Sequence, residues 1–503
     1  MKKLIFTFIA SLLIIGQAIS QIDRSKQPKP GPAPSINLGT PKTFELKNGL
    51  KVMVVENHKL PRVNVTLSIQ NGPIYEGEKV GVRSLTSGVL GSGTTNISKD
   101  DFNQKVDFLG ANLNFSSQGA SLNTLSKYFP EMLELMADGV KNPIFDQEEF
   151  DKQQKQLIEG IKNGENSVDA IAGQVQTALM YGKNHPYGEF TTKESAANVT
   201  LDDVKSFFDT YYRPNNAYLV VIGDVTFSKV KKSISKAFEN WKEGNIPTYT
   251  VPEVSNVAKT EINVIDMPNA VQSNISISNT VYLKKSDDDY FAALLANYIL
   301  GSGTGRLYKN LREEHGYTYG AGSRIGNNHE TATRFNALGS VRNMVTDSSV
   351  VQFMKEINLI RSEKVSNEEL ETAKAAYTGS FVRALERPST AAQYALDIET
   401  EELPKDYYEN YLKKLNAVTV DDVQKAANKY FKADNLRIMI VGKGADIIPG
   451  LETLGFSINY FDKEANPTEK PKLGATIPDG VTVKSVLEGY IEAIGGADKI
   501  ASI

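Results

Sequence analysis

The chain contains part of its own sequence pattern twice, and this repeat limits it to two related domains in tandem. The segment VTLDDV at 199–204 recurs as VTVDDV at 418–423. In the same order along the chain, VLGSGT at 89–94 recurs as ILGSGT at 299–304. A repeat of roughly 200 residues is too long for a solenoid unit. We therefore predict two homologous domains, one in each half of the chain.

Composition places the chain among ordinary folded proteins. It has 503 residues, of which 40% are hydrophobic and 23% are charged, so at least two domains can each bury a core. The net charge of −4 and the lack of a basic run argue against DNA or RNA as a partner. The sequence has no cysteine, which excludes both disulfides and a lipid-anchored cysteine.

The N-terminus has the features of a secretory signal peptide, which we assign to residues 1–20. Two lysines precede the apolar run 4–15, and small residues precede a predicted cleavage before Gln21. A membrane anchor is the alternative, but the apolar run is shorter than the ~20 residues that span a bilayer. A proline-rich linker follows at 21–42. We therefore predict an exported protein, in the periplasm or at the periplasmic face of the outer membrane.

The remaining sequence mixes strand-like and helix-like segments. Asn48-Gly49 between two strand-like runs predicts a hairpin, and apolar residues at helical spacing predict helices such as 99–109 and 201–212. This mixture predicts the α+β class, with a mixed, mostly antiparallel sheet layered with helices in each domain. The predicted segments are an N-terminal domain at 43–245, a linker at 246–259, a C-terminal domain at 260–460, and a linker with the start of a further domain at 461–503.

Together these features resemble the pitrilysin/insulinase family of inverted-motif zinc peptidases, the family of the mitochondrial processing peptidase. The resemblance extends from about Thr43 to Asp446. It implies two homologous halves that close like a clamshell around an extended peptide. In catalytic members, a helix with the motif H-x-x-E-H leads into a Gly-Thr turn, and a glutamate about seventy residues further on completes the zinc site.

The chemical positions of that motif are replaced in this chain. Two histidines four residues apart lie on one helical face and bind Zn²⁺, while the glutamate takes a proton from the zinc-bound water. Aligned on the Gly-Thr turn at 93–94, these positions hold Ser84, Ser87 and Gly88. The downstream glutamate position is retained as Glu159, although a single helical glutamate is usually a solvated surface residue. We therefore predict no catalytic residue and no metal here, and the resemblance implies zinc in a partner subunit.

The substrate-binding motif of the family is retained. RLYKNLREEHGYTY at 306–319 matches this motif, in which an arginine and a tyrosine stand seven residues apart, here Arg312 and Tyr319. Gly316 favours a helix end that places Arg312 in the last helical turn, with Tyr319 on the strand that follows. By resemblance, this pair donates hydrogen bonds to the substrate backbone and the developing oxyanion at a zinc site in the opposite half. The alternative is an ordinary helix-terminal arginine beside a strand tyrosine.

Other candidate motifs are interpreted as structural. HPYG at 185–188 matches a recurrent loop of these proteins. Gly-Ser-Gly-Thr, present in both halves, lacks the Gly-Lys-Ser/Thr ending of a phosphate loop and is typical of a helix stop. The histidines have no metal-ligand spacing between them; they are His58, His185, His315 and His329.

Three hypotheses follow for the function. In the first, the chain is the non-catalytic, substrate-binding subunit of an exported heteromeric zinc peptidase. It supplies Arg312 and Tyr319 to a catalytic paralogue that carries H-x-x-E-H, and it holds extended peptide by strand addition. In the second, it is a scaffold or peptide-binding component of a cell-envelope complex with no proteolytic role. The third, an enzyme with unrecognised chemistry, lacks a nucleophile–base pair to support it.

Overall fold

The computed structural model describes residues 41–473 and 480–501, which belong to one compact unit. The predicted signal peptide and nearly all of the proline-rich linker lie outside the described residues. Among the described helices, none combines the length and the apolar character needed to cross a bilayer.

The N-terminal half is built on a six-stranded sheet. Its strands are β1 (Lys42–Glu45), β2 (Lys51–Glu56), β3 (Arg62–Ile69), β4 (Asn112–Ser116), β5 (Gly119–Leu125) and β6 (Ala217–Gly223). The strand order is β1-β2-β6-β3-β5-β4, antiparallel throughout except for the parallel pair β2 and β6. Its helices are α1 (Val82–Val89), α2 (Lys99–Phe108), α3 (Phe129–Lys141), α4 (Gln147–Gly164), α5 (Val168–Tyr181), α6 (Lys193–Asn198), α7 (Leu201–Tyr211) and α8 (Phe227–Phe238).

The C-terminal half is built on a seven-stranded sheet. Its strands are β7 (Glu261–Asp266), β8 (Gln272–Val281), β9 (Thr318–Ile325), β10 (Thr333–Arg342), β11 (Arg437–Gly442), β12 (Ser457–Phe461) and β13 (Pro467–Thr468). The strand order is β13-β12-β7-β11-β8-β10-β9. The helices of this half and of the segment after it are α9 (Tyr290–Gly301), α10 (Arg306–Tyr308), α11 (Thr346–Ser362), α12 (Asn367–Leu385), α13 (Pro388–Thr400), α14 (Tyr411–Ala417), α15 (Val420–Tyr430), α16 (Gly444–Leu451), α17 (Val483–Ala493) and α18 (Ala497–Ala501).

Both sheets contain the same arrangement of five strands, as the sequence repeat predicts. The order β2-β6-β3-β5-β4 in the first sheet corresponds to β7-β11-β8-β10-β9 in the second. The sheets differ at one edge, where β1 runs antiparallel to β2 but β12 runs parallel to β7. The predicted fold class, two homologous α+β halves with sheets layered by helices, is therefore confirmed.

The core of the N-terminal half lies between one face of its sheet and the helices α3 and α8. On β3, buried and exposed residues alternate, which is the pattern of a strand with one face covered. The covered face meets a fully apolar helix surface that includes Phe129 and Met136 on α3 and Phe238 on α8. Residues of this kind each contribute roughly 1.5–3 kcal/mol when buried.

Each half also places one helix on the sheet of the other half. Val175 on α5 joins Met439 on β11 in one buried cluster, and Ala392 on α13 joins Val220 on β6 in another. Val220 and Met439 occupy equivalent positions in the repeated strands LVVIG and IMIVG. The two halves are therefore held together by a reciprocal exchange of helices, through equivalent positions of the repeat.

The structure differs from the sequence prediction at the end of the second domain. A linker was predicted from residue 461 onward, but β12 and β13 pair with each other and extend the sheet to Thr468. The turn between them buries Ala465 against α5. Strands this short carry too few β-branched residues to be recognised from sequence. β4, β5 and β10 were not assigned from sequence either, and β10 owes its place to pairing with β8 and β9.

Candidate functional site

The helix that aligns with the metal-binding motif is α1. Its apolar residues Val82, Leu85 and Val89 are buried in the core, which turns the remaining positions outward or toward neighbouring elements. Ser84 is exposed, and Ser87 and Gly88 are half-buried. The three replaced motif positions therefore lie on the part of α1 that does not pack into its own core.

Ser87 holds a neighbouring hairpin in place. Its hydroxyl oxygen accepts a hydrogen bond from the backbone N–H of Ser117, at 2.9 Å, in the turn between β4 and β5. The same hydroxyl lies 2.9 Å from the carbonyl oxygen of Arg83 and 3.0 Å from the hydroxyl of Ser117, both within donating distance. At the position of a general base, the chain thus has a neutral side chain whose hydroxyl forms hydrogen bonds to its own helix and to the neighbouring hairpin.

The side chain of a neighbouring helix occupies the space beside Gly88. A Cβ built on Gly88 would lie 2.9 Å from Oε1 of Gln153 on α4. Glu159, on the same helix, is six residues beyond Gln153, which rotates it about 120° away from α1, and it is exposed. The structure therefore does not bring Glu159 to the replaced motif. Gln153, which the sequence analysis missed, is the α4 side chain that faces it.

These residues do not fit a zinc ion. Zinc sites in proteins use cysteine, histidine, aspartate or glutamate, whereas the three motif positions on α1 offer two hydroxyls and a glycine. Within the ranges that the structure describes, no three histidine, cysteine, aspartate or glutamate side chains are grouped so that they could hold a metal. No chemical step is assigned to a metal in this chain.

The retained motif begins at α10, which continues as a π-helical segment, Lys309–Glu314. Gly316, with φ +63°, ends this segment: its N–H donates to Arg312 O at 3.2 Å, and Tyr317 N–H donates to Leu311 O at 2.9 Å. The helix end predicted at Gly316 is therefore confirmed. The wider π-helical turn was not predicted, since its i→i+5 bonding leaves no periodic sequence signal.

Arg312 lies between two tyrosine rings. Its guanidinium carbon is 5.5 Å from the ring centroid of Tyr308 and 5.7 Å from that of Tyr319, and Nη1 donates to the backbone oxygen of Tyr319. Both distances suit cation–π attraction. The tyrosine ring of Tyr319 is 85% exposed, so this site faces solvent. The structure thus brings together Arg312 and Tyr319, and adds Tyr308, whose i, i+4 spacing from Arg312 was a usable sequence signal.

A buried polar contact with α11 holds the π-helical segment in place. Asn310 is buried, and its Nδ2 donates to Oε1 of Glu356 on α11 at 2.7 Å and to Oε1 of Gln352 at 3.2 Å. Buried polar groups of this kind hold a segment in one geometry, because any shift leaves a donor unsatisfied. Arg312 is therefore presented on a turn with a fixed anchor.

Two carboxylates accept hydrogen bonds from the backbone of the segment that precedes α1. Glu189 accepts the backbone N–H groups of Glu76 at 2.9 Å and Gly77 at 3.0 Å, and Glu76 accepts that of Gly81 at 2.9 Å. Burial, with a smaller contribution from the neighbouring Glu76 carboxylate, raises the pKa of Glu189 to about 7 against the lowering effect of those N–H bonds. Burial also raises the pKa of Glu76.

The four histidines lie apart, and each contacts different residues. His185 is buried and stacks on Tyr181 at 5.0 Å, its Nδ1 accepts the N–H of Tyr187 at 3.0 Å, and burial lowers its pKa. His58 contacts Asp224, His315 stacks on Tyr317, and His329 lies 3.6 Å from Glu401. The HPYG loop thus packs as part of the structure.

Among the described residues, no hydrogen bond or ion pair links Arg312 to the replaced motif on α1.

Two family profiles match the chain, one within the N-terminal half and one that begins late in that half and extends into the C-terminal half. The profile described as insulinase (peptidase family M16) matches residues 51–188, and the one described as the peptidase M16 inactive domain matches residues 198–377. Together they cover more than half of the sequence. The boundary between the matches falls within the N-terminal half, just before α7.

Curated relatives and solved structures agree with these profiles. An uncharacterised zinc protease of Rickettsia felis is 24% identical over 77% of this chain and 94% of its own length. The non-peptidase homologue YmxG of Helicobacter pylori is 22% identical over 79% and 94%. Shorter matches reach the bovine cytochrome b-c1 complex subunit 1, at 22% over 41% and 44%. The crystal structure of a peptidase M16 inactive domain from Pseudomonas fluorescens shares the fold, with a TM-score of 0.72 at 22% identity over 80% and 98%.

Proposed function

The chain belongs to the insulinase family of peptidases, peptidase family M16, and from that premise we propose that it is a non-catalytic, substrate-binding subunit of a heteromeric zinc peptidase. The observation that carries this proposal is the contrast between its two motifs. The positions of the zinc ligands hold Ser84 and Gly88, whereas Arg312 is held between Tyr308 and Tyr319 with its site facing solvent. A catalytic paralogue with H-x-x-E-H would supply the metal.

The chemistry of the Arg312 site suits a peptide carbonyl. A guanidinium is permanently charged and presents a rigid fork of N–H donors. One of these donors is used on the Tyr319 carbonyl, which leaves others for a ligand. A donor aimed at the oxygen on which negative charge develops typically lowers the barrier by about 3–4 kcal/mol. Arg312 would provide this stabilisation to the partner's zinc-bound substrate.

The sheet edge beside Arg312 suits an extended peptide. β9, which carries Tyr319, is the last strand on its side of the C-terminal sheet, and β4 is last in the N-terminal sheet. An edge strand has unpaired N–H and C=O groups that a peptide can pair with. Strand addition would hold a peptide by its backbone, with little dependence on its sequence.

The test is reconstitution with the catalytic paralogue, found by purifying the protein from its native envelope and identifying what accompanies it. Cleavage of a quenched fluorescent peptide is then measured. We expect Arg312→Ala to reduce kcat/KM by about 100-fold, the cost of removing one such donor. Tyr319→Phe is expected to have a smaller effect, of about 10-fold.

The matched controls are on the same strand and loop. Arg324→Ala removes an exposed arginine of β9, and Tyr317→Phe removes a phenolic hydroxyl two residues before Tyr319. The kcat/KM of both variants is expected to stay within about 2-fold of wild type. Peptide hydrolysis by the isolated chain that a chelator abolishes would contradict the proposal.

A scaffold function is the second candidate, favoured by the match to a subunit of the bovine cytochrome b-c1 complex. In that case the fold serves assembly in a cell-envelope complex and has no proteolytic role. Unchanged activity of the reconstituted Arg312→Ala and Tyr319→Phe complexes, with assembly intact, would favour it.

We place either complex outside the cytoplasm, in the periplasm or at the periplasmic face of the outer membrane. The support is the sequence pattern of residues 1–20. Fractionation of cells, with the N-terminus of the mature protein sequenced, tests this location; an N-terminus at Gln21 is the expected result.

A further inference from the structure

A cavity of about 730 Å³ lies apart from the Arg312 site, between the two halves of the compact unit. The C-terminal part of α4 and the start of α5 form one wall, and the turn at 462–464 between β12 and β13 forms the other. Leu157, Ile161 and Ile171 give it an aliphatic lining. Its volume is within the range of small-ligand pockets, about 300–1,000 Å³.

The turn from the C-terminal half is fixed against the N-terminal half. Lys463 Nζ donates to the backbone oxygen of Glu165 at 2.7 Å, and Gln174 Nε2 donates to the backbone oxygen of Lys463 at 3.1 Å. Nearby, Lys183 Nζ donates to Oδ1 of Asn466 at 2.6 Å. The cavity therefore has two walls tied together by hydrogen bonds, and its space does not depend on a free loop.

Four of the five charged side chains that line the cavity have a partner within the protein. Lys193 Nζ lies 2.7 Å from Oε1 of Glu165. Asp462 accepts the backbone N–H groups of Glu464 and Asn466, each at 2.8 Å. An ion bound inside would have to displace such pairs to find a counter-charge. This wall chemistry favours an uncharged occupant.

Two glycines on one face of α4 keep the space open. Gly160 and Gly164 are four residues apart and both line the cavity. A Cβ built on Gly160 meets no atom within 4 Å, and at Gly164 the nearest atom is Ala170 Cβ at 3.9 Å. Glycine is less favourable than alanine inside a helix, and no close approach requires it here. Its effect is to leave room beside the aliphatic lining.

We propose that this cavity is a binding pocket for an uncharged aliphatic group. The group would be carried either by the side chain of a bound peptide or by a small neutral amphiphile. The pocket is distinct from the Arg312 site and does not depend on the partner subunit.

The test is a fluorescence titration of the purified chain with the neutral apolar dye N-phenyl-1-naphthylamine. Wild type is expected to bind it saturably. Gly160→Leu places a side chain into the open space without a backbone clash, and it is expected to weaken binding at least 10-fold while melting at the same temperature or higher. The matched control is Gly173→Leu on α5, where a Cβ also meets nothing within 4 Å but the residue does not line the cavity; its affinity is expected within 2-fold of wild type.

Competition distinguishes the two sources of the aliphatic group. Displacement of the dye by a capped, alanine-rich peptide with one central leucine, but not by the same peptide with glutamate, assigns the pocket to a peptide side chain. Displacement by 1-octanol alone assigns it to a free amphiphile. Saturable dye binding by a folded Gly160→Leu variant at wild-type affinity, or none by wild type, overturns the proposal. Because no partner is present, this outcome is independent of the peptidase reconstitution.

Discussion

Glu189 is a carboxyl group whose ionisation is set by its neighbours in the fold. It is half-buried, and its pKa of about 7 results first from burial and then from the proximity of Glu76. In an unfolded chain, the pKa of a glutamate is near its ordinary value of 4.5. Between these two values the folded state binds more protons than the unfolded state, so this group stabilises the fold at low pH and loses that contribution as pH rises toward 7.

We therefore predict that Glu189→Gln flattens the pH dependence of stability between pH 5 and pH 7.5. In wild type, this residue should account for a loss of about 1–2 kcal/mol over that window, a value reduced for its partial exposure. Urea unfolding at half-unit pH intervals measures it. Glu194→Gln, an exposed change on α6, is the control and should leave the slope as in wild type. An unchanged slope in Glu189→Gln contradicts the prediction.

Arg312 depends on Tyr308 for its position. The guanidinium carbon lies 5.5 Å from the ring centroid of Tyr308, and the second tyrosine near it, Tyr319, is exposed. A cation–π contact contributes about 0.5–2 kcal/mol, so its loss frees the arginine to move from its aligned position.

We predict that Tyr308→Ala lowers kcat/KM of the reconstituted peptidase about 3- to 30-fold, because a contact of that energy no longer orients Arg312. Tyr308→Phe keeps the ring and should stay within about 2-fold. Equal losses in the two variants would show that the hydroxyl of Tyr308, and not its ring, matters.

At the scale of elements, the hairpin of β1 and β2 also binds the C-terminal end of α8 through its turn. Gly49, at φ +82°, makes the turn, and Asn48 is buried. Its Nδ2 donates to the backbone oxygens of Phe238 at 2.8 Å and Trp241 at 2.9 Å, where α8 ends. The turn residue thus donates to a carbonyl at the C-terminal end of α8, where intrahelical partners are lacking, and to a second carbonyl just beyond the helix.

Asn48→Ala is expected to destabilise the protein by about 1–3 kcal/mol, since the buried carbonyl of Trp241 loses its side-chain donor and that of Phe238 keeps only the N–H of Trp241. Chemical denaturation followed by circular dichroism measures this change. Asn215→Ala is the control: this exposed asparagine bonds to Gly244 at a site open to water, and its removal should cost less than about 1 kcal/mol. Similar losses in both variants would argue against the role of burial.

Across the compact unit, the exchanged helices α5 and α13 couple the two halves. Ala392, on α13, is 2% exposed and shares a cluster with Met53 and Val220 of the N-terminal sheet. On the other side, Gln176 of α5 donates to the hydroxyl of Ser276 on β8. Each half therefore completes its own burial only in the presence of the other.

We predict that wild type unfolds in a single calorimetric transition and that Ala392→Arg divides it into two. A buried, unpaired charge in this contact should cost about 3–5 kcal/mol, enough to release α13 from the N-terminal sheet. Gln393→Arg, an exposed neighbour on the same helix, is the control and should retain one transition. Two transitions in wild type would show that the halves are not coupled.

Local patterns in the sequence accounted for much of this protein. The Asn48-Gly49 turn and the helix end at Gly316 were predictable because each depends on residues close together in the chain, and the repeat was predictable because it is visible in the sequence itself. The replaced zinc motif and the Arg312–Tyr319 spacing were readable for the same reason, and the structure places those two residues in contact.

Other features were beyond such patterns because they arise from groups far apart in sequence. Gln153 meets Gly88 across two helices, and the pKa of Glu189 depends on burial beside Glu76. The helix exchange joins Val175 to Met439 and Val220 to Ala392, positions far apart in the chain, and the cavity exists only where a late turn closes on α4. Propensity and periodicity describe a residue's own element, whereas these contacts are decided by which elements fold against each other.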